Sequence, residues 1–173
     1  QEVLRGLSPN RRASRALRKI PTTRRSAESY VDDGLRHKNW LGRWRAIQVI
    51  RQIHIGAGQP ADELRSRANQ RCIRDLADRT ADDVAEVRVA SLEGLVELCG
   101  KGDVAGTAAL CALLQDDWEL IRSMAADGLA VVARPGDASS IEALLLALDD
   151  PDTAVRRAAL AALAVLGKKG DGR

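Results

Sequence analysis

Phenylalanine is absent from this chain of 173 residues, and one Tyr and three Trp are its only aromatics. A core must therefore come from aliphatic side chains, and Ala and Leu dominate that stock. Small and straight-chain apolar residues favour helix and let helices approach closely. No apolar run reaches the ~18–20 residues of a membrane-spanning helix, so no span is expected. Chemistry-bearing residues are equally scarce. His37 and His54 are the only histidines. There is no Gly-rich phosphate loop and no G-x-S-x-G elbow. His54 falls near the end of an expected helix, where a positive charge suits the C-terminal dipole better than it suits a metal. No catalytic residue, metal ligand or cofactor is expected. Cys72, Cys99 and Cys111 are odd in number and have no C-x-x-C spacing. They read as buried reduced thiols in an intracellular compartment.

What is present is unevenly charged. Residues 1–27 carry Arg5, Arg11, Arg12, Arg15, Arg18, Lys19, Arg24 and Arg25 against Glu2 alone, a net +7. The remaining residues hold 19 basic and 23 acidic side chains, a net −4. The basic character thus belongs to an arm, read as extended over 1–26, and not to the body. Such an arm suits an anionic partner: RNA, an acidic protein surface or lipid headgroups. Its Arg- and Ser-rich composition is also that of an organelle transit segment. The first residue is Gln1, which raises the expectation of residues upstream.

The C-terminal half repeats itself. Arg88, Arg122 and Arg156 lie 34 residues apart, and Asp82, Asp116 and Asp150 precede them by six each time. Gly102-Asp103 and Gly136-Asp137 keep the same interval, as do Leu110 and Leu144, Leu129 and Leu163, and Val132 and Leu166. A fixed period of this size marks stacked units that bury their apolar faces against one another. Each unit reads as helix, tight turn, helix, with Asp103 and Asp137 capping first helices. The regular units span 81–167 and divergent ones 27–80. Residues 168–173 read as a tail or the start of a further unit, since Gly170-Asp171 continues the period. The final helix, Thr153–Leu166, carries apolar residues that need cover, so a continuation or a capping partner is expected.

Further upstream, Ser26 is expected to cap a helix over 27–38, and Asn39 one running from Trp40 to Ile55. Trp40, Trp44, Ile47 and Ile50 share one face of the latter, so all four are assigned to the core. Asn39 stands six before Arg45, which makes this pair the candidate first copy of the motif. The 43 residues from Arg45 to Arg88 imply an insertion of about nine, placed in 56–60 and a long helix over 61–79.

The segment Leu148-Asp149-Asp150-Pro151-Asp152-Thr153-Ala154-Val155-Arg156-Arg157-Ala158-Ala159-Leu160 resembles the HEAT repeat, including the short version of bilin-lyase-like proteins. That resemblance implies an all-α solenoid of about four helix–turn–helix units behind the basic arm. It also implies a structural ladder of Asp82, Arg88, Asp116, Arg122, Asp150 and Arg156 between successive units, with Asn39 and Arg45 as its first rung. Some HEAT-like enzymes hold iron through His-Glu pairs, but His37 precedes Lys38 and His54 precedes Ile55, so that activity does not transfer. The expected function is a non-enzymatic scaffold or adaptor within a larger protein assembly. Its candidate contacts are the arm and Trp118, a large aromatic at a turn. An RNA- or ribosome-associated protein and a bilin-lyase-like chromophore-handling protein are the alternatives.

Overall fold

The structure is a computed structural model that describes residues 24–55 and 63–167. These residues form α1 (Arg24–Leu35), α2 (Trp40–Ile55), α3 (Glu63–Arg79), α4 (Ala85–Leu98), α5 (Val104–Leu113), α6 (Glu119–Val132), α7 (Ala138–Leu146) and α8 (Thr153–Leu166), with a short 3-10 turn over Ala147–Asp149. There is no β-strand among the described residues. Consecutive helices pair as α1/α2, α3/α4, α5/α6 and α7/α8, and the second helices stack in file, α2 on α4, α4 on α6 and α6 on α8. The described residues form an α-solenoid of four helical hairpins.

The short period leaves little room for turns, and specific residues close them. Gly102 and Gly136 sit at φ of 79° and 80°, a left-handed conformation that costs a glycine nothing. That twist lets each glycine N–H cap the last carbonyl of its own hairpin, Gly102 to Val132 at 2.6 Å and Gly136 to Leu166 at 2.8 Å. The adjacent aspartates cap the incoming helix. Asp103 accepts from the Gly106 N–H at 2.8 Å and Asp137 from that of Ser140 at 2.9 Å.

Packing follows the aliphatic composition. Leu92, Leu110, Ile121, Leu129, Leu144, Val155 and Leu166 belong to one buried cluster, and Ile47, Ile50, Leu76, Val87 and Leu95 to a second beneath the first two hairpins. Leu129 is completely buried, so truncation to Ala is expected to cost about 2–5 kcal/mol. The added length upstream lies partly in α3, which has 17 residues where α5 has 10.

Three expectations are corrected here. The first helix runs from Arg24 to Leu35, so Ser26 lies inside it and Arg24 and Arg25 belong to its first turn, not to the arm. Arginine is the better helix former, which extends the helix past the residue read as its cap. The helix also stops three residues before Lys38. Trp40 is 41% exposed and is not core, although Ile47 and Ile50 are buried and Trp44 packs against them. The reason is a register error of two residues, which the ladder makes plain. The arm residues Arg5, Arg11, Arg12, Arg15, Arg18 and Lys19, and the tail 168–173, lie outside the described residues.

Candidate functional site

Each hairpin ends its first helix at a turn that must redirect the chain and still satisfy its N–H groups. In three of the described hairpins aspartate does this three residues before the second helix begins. Asp82 accepts from the Val84 N–H at 3.1 Å, Asp116 from that of Trp118 at 2.9 Å and Asp150 from that of Asp152 at 2.8 Å. Six residues on, one helical turn into the second helix, an arginine reaches back. Arg88 donates from Nη1 to the Asp82 carbonyl at 3.0 Å, Arg122 to that of Asp116 at 2.8 Å and Arg156 to that of Asp150 at 2.7 Å.

The other edge of each guanidinium crosses to the following unit. Arg88 forks onto Asp116 through Nε at 2.6 Å and Nη2 at 2.9 Å. Arg122 forks onto Asp150 at 2.7 and 3.0 Å. This bidentate geometry is the strong form of the ion pair, and the planar guanidinium supplies both edges at once. The same arginine therefore staples its own turn and binds the next.

The electrostatics agree with the geometry. Burial works against charge on Asp116, yet the Arg88 fork and the Trp118 N–H outweigh it and hold the carboxyl below its ordinary range. Asp82 is lowered in the same way, burial being overcome by the Arg43 fork and the Val84 N–H. At Asp150 the Arg122 fork is the main cause of the lowering, with burial opposing it.

The upstream partner of Asp82 is Arg43, not Arg45. Arg43 forks onto Asp82 with both bonds at 2.7 Å and adds Asp83 at 2.6 Å. Its Nη1 donates to the carbonyls of His37 at 3.1 Å and Lys38 at 3.2 Å. His37 holds the position of the aspartate, because its Nδ1 accepts the Asn39 N–H at 3.0 Å. The neutral ring has the tautomer with its proton on Nε2, inferred from that hydrogen bond. Asn39 is the helix cap, its Oδ1 accepting from the Leu41 N–H at 2.9 Å, the place Asp152 takes in the last hairpin. Arg45 takes no part, and its Nε is buried with no hydrogen-bond partner. In this register Trp40 aligns with Glu119 and Thr153, both exposed first residues of their helices.

Sequence reasoning missed Arg43 and His37 because it sought an acid or amide at the turn. An arginine six residues after any side chain able to accept an N–H was the available signal. It also missed Arg51, which pairs with Glu97 at 2.8 and 2.5 Å and with Glu93 at 2.5 Å, a second link from α2 to α4.

Trp118 is half-buried and packs against the larger core cluster, so its ring is not a free aromatic at the turn. Burial pushes the Cys99 thiol up to about 12, with Asp103 adding to the effect, and the thiolate needed for nucleophilic work is suppressed. Among the described residues no three His, Cys, Asp or Glu side chains are grouped so as to hold a metal. No helix among them is long and apolar enough to cross a membrane.

With this geometry in hand, the likeness to known proteins has a physical basis. The HEAT-repeat profile matches residues 141–170, most of the last hairpin and the residues after it. Among solved structures, an engineered protein is similar with a TM-score of 0.60 at 20% identity, over 82% of this chain and 62% of that one. Human deoxyhypusine hydroxylase, solved with glycerol, is similar with a TM-score of 0.58 at 21% identity, over 86% of this chain and 46% of that one. The chain thus spans less than two thirds of either structure, and the likeness concerns the fold. No curated protein matches the sequence. The HEAT-like resemblance holds in both sequence profile and fold, and such repeats suggest a protein-interaction scaffold.

Proposed function

We propose that this chain is a non-catalytic adaptor, an accessory subunit that holds partner proteins on its solenoid. The observation that carries this reading is the ladder itself. Its aspartates and the arginines Arg43, Arg88 and Arg122 are satisfied within the array, as structural groups are, and His37 and the turn acids do turn and capping duty. What the fold offers outward is helix surface and turn edge, the form in which repeat arrays bind proteins. The basic residues of 1–19 add a second contact, to an anionic surface of the same assembly. The suppressed Cys99 thiol suits residence in a reducing compartment.

Affinity capture of the full chain, with and without residues 1–25, followed by mass spectrometry tests the reading. A defined set of proteins in fixed proportion is the expected result. Recovery of mixed RNA that is lost in high salt and lost without the arm would replace the adaptor with an RNA-associated protein, since counterion release makes such binding steeply salt-dependent. Pigment or another bound cofactor in the purified chain would replace it with a chromophore-handling protein. The net +7 of residues 1–27 is what favours the RNA reading as the runner-up.

A further inference from the structure

The second helices pack against their first helices on one side and turn the other side to solvent. On α4 that side carries Glu86, Glu93 and Glu97, which recur at steps of seven and four and so share one stripe of the helix. On α6 it carries Glu119 and Asp127, again on one stripe, with Asp127 standing 34 residues after Glu93. Between the acids lie the half-buried Val89 and Met124, which pack against the core with their inner parts. α4 is stacked between α2 and α6, and α6 between α4 and α8, so this face is open along the array and not at an end of it.

The face is acidic and only partly neutralised. The basic residues of α4 and α6 are Arg88 and Arg122, and both are committed to the ladder. Arg51 of α2 supplies one positive charge where it meets Glu93 and Glu97. Glu86, Glu119 and Asp127 make no hydrogen bond or salt bridge among the described residues. Desolvation by the surrounding helices holds the Asp127 carboxyl above its ordinary range, and no cation offsets this. Gln48 on α2 and Ala161 on α8 take the position of Glu93 and Asp127, so at that position the charge is confined to the middle of the array.

Such a face suits a cationic segment with aliphatic residues interspersed, and the chain itself has one. Residues 1–23 carry Arg5, Arg11, Arg12, Arg15, Arg18 and Lys19 against Glu2, a net +5, with Leu7, Leu17 and Ile20 among them. They lead directly into α1, which packs on α2. About ten residues of extended chain, at about 3.3 Å each, bridge the roughly 30 Å from α1 to α6 at about 10 Å per packed helix. A tethered segment also meets the face at an effective concentration of about millimolar, which a basic segment of another protein has to exceed.

We propose that residues 1–23 dock on this face of the chain's own α4 and α6, their guanidinium groups on Glu86, Glu119 and Asp127 and their aliphatic residues on Val89 and Met124. The inference goes beyond the adaptor reading. An anionic partner that takes the arm uncovers the face, so the two contact surfaces are coupled.

Trypsin cleaves after the arginines of residues 1–23, at a rate that follows the fraction of time the segment is undocked. In the full chain at about 0.1 M salt, cleavage after Arg11, Arg12, Arg15 and Arg18 is expected to be at least about tenfold slower than in a free peptide of residues 1–23. At about 1 M salt, where screening shortens to about 3 Å, chain and peptide are expected to be cleaved alike. The chain carrying Glu86→Gln, Glu119→Gln and Asp127→Asn together is expected to match the peptide at the lower salt, with its helical circular dichroism retained. Asp127→Lys alone, a second variant that sets a like charge against the segment, is expected to remove about threefold of the protection. Equal rates for chain and peptide at the lower salt overturn the proposal. So does protection that either variant keeps in full, or that survives the higher salt. Protection that rises with chain concentration also overturns it, seating the segment on a second copy.

Discussion

The turns at Asp116 and Asp150 and the turn at His37 close the same N–H and carbonyl groups with different residues. At Asp116 and Asp150 an aspartate takes an N–H, an arginine six later takes the aspartate's carbonyl, and the previous arginine forks onto the carboxylate. At the first hairpin His37 takes the N–H and Arg43 the carbonyl, and His37 lacks the carboxylate that a preceding fork would need. The difference separates two duties that one aspartate performs at once. Shaping the turn needs only an acceptor, and a neutral imidazole suffices. Joining two units needs an anion with two oxygens in one plane.

The largest effect should come from a joint that performs both duties. Asp116→Ala leaves the Arg88 fork and the Trp118 N–H without their partner in a largely buried site, and a loss of about 3–5 kcal/mol is expected in chemical denaturation. A loss below that of an ordinary surface substitution would mean the fork contributes nothing to stacking. Next come the two arginines that compete for the upstream joint. Arg43→Ala should cost about 3 kcal/mol, while Arg45→Ala, which breaks no hydrogen bond, should stay within about 1 kcal/mol. Equal melting losses would erase the corrected register.

Acid separates the two duties by charge. Asp82, Asp116 and Asp150 bind protons less readily in the folded chain than in the unfolded one. Their stabilisation is therefore complete above about pH 5 and is lost as pH falls through about 4 and below. Urea denaturation of the parent and of Asp116→Asn at pH 7 and pH 3.5 should show the variant losing less stability between the two. Parallel losses would count against the joints as the acid-sensitive element. The smallest effect is expected from His37→Asp, which keeps an acceptor for the Asn39 N–H and supplies a carboxylate with no preceding fork among the described hairpins. A change within about 1 kcal/mol in either direction is expected from thermal melting, against a much larger loss for Asp116→Ala.

The regular hairpins were legible in the sequence because their joints use residue types that stand out at a fixed interval. The Gly-Asp pairs mark the capped starts of α5 and α7, and the 34-residue spacing of arginines and leucines marks the last helix at Thr153–Leu166. The upstream joint was not legible in the same terms. An insertion breaks the period and a histidine carries the acceptor, so in the sequence the six-residue spacing shows at Asn39 and Arg45, two residues late. Trp40 was misplaced by the same slip, since a helix face drawn from the wrong first residue rotates a surface position into the core.

The two-edged arginine also bears on how such a molecule grows. Because every joint draws its donor from one hairpin and its acceptor from the next, a tandem duplication of 34 residues arrives with both halves of a connector already in place. Length can then change by whole steps without any new complementarity having to arise. Among the described hairpins the first alone departs from this pattern, with a single imidazole where the others hold a carboxylate.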